Sequence, residues 1–269
     1  MAAITLSFLA NDTIGIIGYG HLGRTIAEKL LEHGFPKNKL MLSYGGSSIT
    51  FRKIKMAGLL ENISDNKEVC RKSSIIFITV RPQAFKELKW LTFPSYALVV
   101  SCMAGISSDT LRKVLGIDVF RMMPSGPETI KANKGIVAVY PHNYTLTRIL
   151  SNMGLRVYEL PSEEMMHKFT VGVCLPAALI VARKRGLNTE QAVRIIEKEF
   201  PEFAAIYTWA KDVLPNFNSE KERDEYVEKM STRGGVTEVI VNSLNSGNMF
   251  YDALADGIAK SKAIDADVR

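Results

Sequence analysis

Thr13-Ile14-Gly15-Ile16-Ile17-Gly18-Tyr19-Gly20-His21-Leu22-Gly23 is the stretch from which the rest of the chain is read. The apolar, β-branched run Ile14 to Ile17 has the character of a buried strand. It ends in Gly18-x-Gly20-x-x-Gly23. From Arg24 to His33 the residues Ile26, Ala27, Leu30 and Leu31 then recur at helical spacing. The order is strand, tight glycine turn, helix. Gly18 permits a sharp turn, Gly20 lets a pyrophosphate approach the backbone, and Gly23 lets the helix pack closely on the strand. A phosphate would meet the unpaired amides of the helix N-terminus. Such glycine triplets arise often by chance. The flanking strand and helix favour a cofactor-binding turn over a merely structural one.

The 269 residues suit one large or two ordinary domains. A hydrophobic share of 46% and a charged share of 23% are those of a soluble globular chain. The net charge of +6 fits phosphate-bearing cofactors and acidic small molecules, and it is too diffuse for a nucleic-acid binder. Cys70, Cys102 and Cys174 are scattered in apolar contexts, which reads as buried thiols in a reducing, cytoplasmic setting. No His/Cys/Asp cluster has metal-ligand spacing. Met1 to Ala10 is apolar without a basic leading segment, so a short added strand or a tail is favoured over a signal peptide. Val171 to Ala182 contains Pro176 and is too short to cross a bilayer, so no membrane association is expected.

Further along, Leu40 to Ser43 reads as a second strand. A carboxylate there would grip the ribose hydroxyls of NAD. The chain instead continues Ser43-Tyr44-Gly45-Gly46-Ser47-Ser48, with Arg52, Lys53 and Lys55 following. Hydroxyls, amides and cations suit a 2′-phosphate, which favours NADP; the alternative is that the cations lie on a solvated helix face. Ser74 to Val80, Tyr96 to Ser101, Val119 to Pro124, Gly135 to Tyr140 and Leu155 to Leu160 read as further strands, giving seven or eight in all. Their alternation with helices such as Thr110 to Leu115 argues an α/β fold with a doubly wound, Rossmann-type parallel sheet. Ligands of such sheets bind beyond the carboxyl ends of the strands, so the loops at 81–83, 102–106 and 123–127 should face the cofactor.

After Pro161 the pattern becomes all-α. Helices are expected over Glu163 to Arg185, Glu190 to Glu199, Ala204 to Leu214, Glu220 to Met230, Glu238 to Asn245 and Asn248 to Lys262. The division is therefore residues 1–160, a dinucleotide-binding domain, and residues 161–269, a helical domain. The helices carry more apolar surface than a small bundle needs, which points to a homodimer or higher homo-oligomer.

Five motifs, in order, resemble the pyrroline-5-carboxylate reductase family over nearly the whole chain. They are Ile16 to Gly23, Val80-Arg81-Pro82-Gln83, Ser101 to Ile106, Arg121 to Pro127 and Ser231 to Thr237. The resemblance implies NAD(P)H-dependent reduction of a cyclic imine carboxylate, pyrroline-5-carboxylate to proline, and so a place in proline biosynthesis. It also implies a C-terminal dimerisation domain. Gly18, Tyr19, Gly20, His21, Leu22, Gly23, Ser43, Val80, Arg81, Pro82, Ala104 and Gly105 would then contact the cofactor, with Met123 and Pro124 near the nicotinamide. Ser231, Gly234, Gly235, Val236 and Thr237 would hold the substrate carboxylate, and Thr237 would be catalytic.

The residues support that last assignment independently. Gly234-Gly235 can bare successive amides just before a helix, an anion site suited to a carboxylate, and Thr237 can donate to the imine nitrogen or the carboxylate. A plain glycine break between helices is the alternative. An imine that arrives protonated needs no strong protein acid, and no Ser-His-Asp or paired-carboxylate constellation is evident.

The chain departs from the family pattern at Ser125 and Gly126 (an Asn and a Thr in the family) and at Gly172 to Pro176, which includes Cys174. A further departure is Arg233, which replaces a Pro. The changes fall where the nicotinamide and substrate would meet. They leave open a related reductase for another imine, a carbonyl compound or a deazaflavin, and a non-catalytic NADP-binding sensor or scaffold. Related hydroxyacid dehydrogenases place a catalytic Lys near Lys168 with an Asn one turn on. Gly172 stands there instead, so His167 and Lys168 read as structural or exposed. His21 reads as an amide donor or a stacking group, His33 and His142 as loop residues, and Met165, Met166 and Trp209 as core or dimer contacts.

Overall fold

A computed structural model describes residues 5–268. The chain divides into two compact units, one running up to Leu160 and one spanning Pro161–Asp267.

The first unit is built on a sheet of seven strands in the order β2-β1-β3-β4-β5-β6-β7. These are β1 (Ile14–Ile17), β2 (Leu40–Ser43), β3 (Ile75–Ile78), β4 (Leu98–Ser101), β5 (Phe120–Pro124), β6 (Ile136–Tyr140) and β7 (Arg156–Glu159). β1 and β3 are buried along their whole length, as continuous apolar runs require in a sheet covered on both faces. The first five strands run parallel. β6 pairs antiparallel with β5, and β7 follows β6 in parallel. The sheet is thus mixed, which the apolar runs alone did not reveal, because both directions leave the same burial pattern.

Six helices connect the strands: α1 (His21–Glu32), α2 (Ser48–Met56), α3 (Asn66–Lys72), α4 (Ser108–Leu115), α5 (Pro127–Lys131) and α6 (Tyr144–Asn152). Several start where a side chain satisfies an orphan amide. Asp65 accepts from Glu68 N, Ser107 from Thr110 N and Asn143 from Leu146 N. α4 stops at Gly116, in the left-handed region at φ +68°. Lys29 is buried, yet its ammonium meets Asn133 Oδ1 at 2.7 Å and Glu32 at 2.8 Å, which satisfies the charge.

The region before β1 is a 3₁₀ turn, Leu6–Leu9, that sinks Leu6 and Leu9 into the core. Among the described residues this stretch is neither an added strand nor a tail. Its anchor is the Leu6 amide on the His33 carbonyl. Met1 to Ile4 lie outside the described residues.

The second unit consists of α7 (Met165–Lys184), α8 (Glu190–Glu197), α9 (Phe203–Asp212), α10 (Glu220–Met230), α11 (Val236–Asn245) and α12 (Phe250–Val268). α7 is its central element. It is long and apolar enough to cross a membrane by length and composition, contrary to the estimate from Val171 to Ala182 alone. However, 83% of its most apolar window is buried inside the protein, the pattern of a core helix. Gly172 lets α9 come close, since a Cβ there would meet Ile206 Cγ2 at 2.8 Å. Arg185 caps the C-terminus of α11 by donating to the carbonyls of Leu244, Gly247 and Asn248.

Candidate dinucleotide turn and substrate loop

β1 and β3 are adjacent while β2 lies on the far side of β1, so the strand order reverses between β1 and β3. Open α/β sheets bind ligands at such a switch point. The carboxyl ends of β1 to β5 all lie along one edge of this parallel part. The segments 18–23, 80–82, 104–105 and the one that follows β5 are thereby gathered there.

The three glycines of the turn have three distinct environments. Gly18 is at φ +99°, and a Cβ on it would lie 2.7 Å from Val80 Cγ1. A Cβ on Gly23 would lie 2.3 Å from the Gly18 carbonyl oxygen and 2.6 Å from Thr79 Oγ1, so only glycine lets α1 close on β1. At Gly20 a Cβ would meet nothing within 4 Å. Packing demands no glycine at that position, and the open space suits a bulky group lying against the backbone. Thr79 fixes the turn by donating to the carbonyl oxygens of Ile17 at 3.1 Å and Gly18 at 2.7 Å.

Backbone hydrogen bonds limit how the turn can meet a phosphate. The amides of Gly18 and Tyr19 donate to the Ser43 carbonyl, and the Gly20 amide donates to the Gly18 carbonyl. These residues shape the turn and have no amide to offer a phosphate. The positions suited to an anion are in the first turn of α1, His21, Leu22 and Gly23, where the N-cap Gly20 has no side chain to cap the amides. Tyr19 is buried in the core, and its hydroxyl finds no hydrogen-bond partner. Burial, helped by the charge of Glu28, pushes that hydroxyl's pKa up to about 12. The His21 imidazole lies 3.4 Å from a Glu128 carboxylate oxygen.

Ser43 is also buried, with its hydroxyl on Asn66 Oδ1 at 2.5 Å, so the side chain does not face a ligand. The exposed residues beyond β2 are Gly45 to Ile49, leading into α2, whose N-cap Ser47 makes no side-chain cap. Arg52 is exposed one turn into that helix. Val80 and Pro82 are half-buried and Arg81 is exposed at the end of β3. Ala104 is half-buried beside Gly105, which is at φ +77°. Met123 and Pro124 are buried within β5, paired with Ala138 and Val137, so little of either is left to touch a nicotinamide.

In the second unit the loop 231–237 is internally bonded. Gly234 N–H donates to Glu238 Oε2 at 2.6 Å, and Gly235 N–H donates to the Thr232 carbonyl at 2.8 Å. The two amides expected to be bare are therefore both engaged. Glu238 stands three residues after the N-cap Gly235, the position from which an acidic side chain reaches back over a helix start. That spacing is visible in the sequence and was the missed signal. The Ser231 hydroxyl donates to the Val227 carbonyl at 2.7 Å, and Val236 is buried. The Thr237 hydroxyl donates to Cys174 Sγ at 3.1 Å, and Cys174 in turn donates to the Thr170 carbonyl at 3.1 Å. Beside the loop is an open groove of about 570 Å³ with Ser231, Arg233 and Glu238 among its lining residues.

Residues 13–105 match the family described as NADP oxidoreductase, coenzyme F420-dependent. The Escherichia coli pyrroline-5-carboxylate reductase is 32% identical over 139 residues, 48% of this chain and 49% of that protein. The Pisum sativum enzyme of the same name is 29% identical over 125 residues, 44% of each chain. By sequence the chain is similar to the pyrroline-5-carboxylate reductases over slightly less than half of its length. It spans about half the length of the curated relatives it matches. The fold extends further. The Streptococcus pyogenes reductase superposes with a TM-score of 0.58 at 19% identity, covering 94% of this chain and 98% of that one. A Plasmodium falciparum pyrroline carboxylate reductase with NADP bound gives 0.57 at 21%, covering 95% and 98%.

Structural reasons attach to most departures from the reductase pattern. Ser125 is buried, accepts from the Ile136 amide at 3.1 Å and shares a hydrogen bond with Thr129 Oγ1 at 2.7 Å. It braces the turn after β5. Gly172 has no room for the Asn of the hydroxyacid dehydrogenases, because Ile206 fills the space. Lys168 pairs with Glu199 at 2.6 Å, tying α7 to the turn after α8, and His167 Nδ1 lies 2.9 Å from Ser261 Oγ, tying α7 to α12. Arg233 is exposed, and Gly126 is the N-cap of α5. The structure offers no account of why a glycine stands at 126.

Proposed function

We propose that the chain is an NADP-dependent oxidoreductase that reduces a cyclic imine carboxylate, of the type pyrroline-5-carboxylate to proline. The observation that carries the reading is the glycine turn. Gly18 is forced by conformation and Gly23 by packing, whereas Gly20 has open space around it beside the uncapped start of α1. That combination fits a pyrophosphate on the helix N-terminus. Bound reduced nicotinamide supplies a hydride for the C=N carbon of an imine that arrives protonated at nitrogen. The chain's own task is then to hold the two partners and exclude water. Among the described residues no group of His, Cys, Asp and Glu could hold a metal ion.

Preference for NADPH over NADH is part of the same proposal. No carboxylate stands at the end of β2, and the uncapped start of α2 with Arg52 is chemically suited to a 2′-phosphate. The 231–237 loop is proposed to bind the substrate, with Thr237 in contact with its nitrogen. Self-association through the helical unit is supported by exposed Ile195, Met249 and Tyr251. The three buried free thiols fit a cytoplasmic setting.

One observation favours a second reading. Glu238 occupies the Gly234 amide, so an imine without a carboxylate would meet less competition there than an imino acid. The test is NADPH consumption by the purified protein with pyrroline-5-carboxylate, run beside an imine of the same ring size that lacks the carboxylate. Turnover of the first supports the proposal. Turnover of the second alone selects the second reading, and consumption with neither removes both.

A further inference from the structure

Thr237 is expected to reach the substrate with its hydroxyl proton, but that proton is already committed. The hydroxyl donates to Cys174 Sγ at 3.1 Å, across from α11 to α7. The thiol donates onward to the Thr170 carbonyl at 3.1 Å. A hydroxyl has one proton and two lone pairs, so with the proton engaged it meets a ligand as an acceptor. Cys174 is buried, and burial pushes its pKa up to about 11, so at neutral pH it remains a thiol with its single S–H directed along this chain. Thr237 itself is half-buried and accessible.

We infer that Cys174 is a positioning residue that sets Thr237 as a hydrogen-bond acceptor, so that the loop selects ligands presenting an N–H, a protonated imine or its amine product, over carbonyl or ether analogues that can only accept. This deepens the reading above and rests on the 231–237 loop binding the substrate. An acceptor-only ligand must first turn the Thr237 proton away from sulfur, which forfeits one hydrogen bond. An N–H ligand adds one without disturbing the chain.

The test compares two ring acids of the same size on the full-length protein with saturating NADP: proline, which presents N–H, and tetrahydrofuran-2-carboxylate, whose ring oxygen only accepts. Affinities are measured by calorimetry for the wild type, Cys174→Ser, Cys174→Ala and Thr237→Val. The wild type should prefer proline by about tenfold, the worth of one such hydrogen bond at this site. Cys174→Ser keeps an acceptor with its own proton and should retain the preference. Cys174→Ala frees the Thr237 proton and should reduce the preference to about twofold, mostly by tightening the ether ligand. A role confined to packing would weaken both ligands equally in both cysteine variants. Equal ratios in the wild type and Cys174→Ala overturn the inference, as does binding of neither ligand. A preserved N–H preference without NADPH turnover would leave this selection standing and remove the enzymatic reading instead.

Discussion

Glu238→Ala is the most informative substitution for the substrate loop. Glu238 Oε2 accepts from Gly234 N–H at 2.6 Å, at a helix start whose N-cap Gly235 has no side chain to offer. A hydrogen bond to a charged group is worth about 1.5–3 kcal/mol where shielded. Here Gly234 is exposed and Glu238 half-buried, which reduces the figure to about 1 kcal/mol. The same quantity appears twice with opposite consequences. Removing the carboxylate lowers the unfolding free energy by about 1 kcal/mol, or about 2–4 °C in Tm for a chain of this size. It also releases the amide that a substrate carboxylate must otherwise take from Glu238, so KM for the imino acid falls about fivefold with kcat unchanged. Glu238→Gln keeps an acceptor and loses the charge, and it should fall between the two. Thermal melts and initial rates at several substrate concentrations read both effects. A lower Tm with an unchanged or raised KM would refute the reasoning, because it would make Glu238 a helix cap and nothing more.

Other expectations follow from the first unit. Gly20→Ala should melt with the wild type, since its Cβ meets nothing within 4 Å, yet weaken NADP binding more than tenfold by calorimetry if the pyrophosphate lies against that backbone. Gly23→Ala should lose about 1–3 kcal/mol in denaturant unfolding, because its Cβ would lie 2.3 Å from a backbone oxygen. Arg52→Ala should raise the Kd for NADPH about tenfold and leave that for NADH in place, if the 2′-phosphate sits at the start of α2. Glu68, hydrogen-bonded by Arg71 and Lys72, has its pKa lowered to about 2. A depressed carboxylate favours the folded state above its ordinary range, near 4.5, and that contribution fades as pH falls toward 2. A carboxyl NMR titration should show the midpoint rising in Arg71→Gln and in high salt.

The Rossmann-type sheet was legible because its signals are local. A β-branched run with a glycine turn and a periodic helix needs no distant partner to be read, and Ile14 to Glu32 forms as that pattern predicts. The inversion of β6 was not legible, since strand direction depends on the connection through α5 and not on residue type. The site divides the same way. The glycines declared their conformational roles, but the fate of several hydroxyls depends on residues far along the chain. Ser43 meets Asn66, Thr79 meets Gly18, and Thr237 meets Cys174 across 63 positions. Glu238 is a local case, because it lies four residues from its partner and its spacing from Gly235 was readable as a helix-start signature.

The two halves of the proposed machinery differ in how they are prepared for a ligand. The dinucleotide turn has its bonds arranged so that open space remains at Gly20 and the first amides of α1 lack a side-chain cap. The substrate loop has the opposite character, with its Gly234, Gly235 and Thr237 donors all satisfied from within the chain. Satisfying polar groups this way avoids leaving donors without partners in the absence of ligand, and it makes each ligand contact an exchange. Exchanges discriminate more sharply than simple additions, since a ligand that cannot replace what it displaces loses a bond outright. If it binds the substrate as proposed, a loop so built gains selectivity at the expense of affinity, with Glu238 and Cys174 setting the terms.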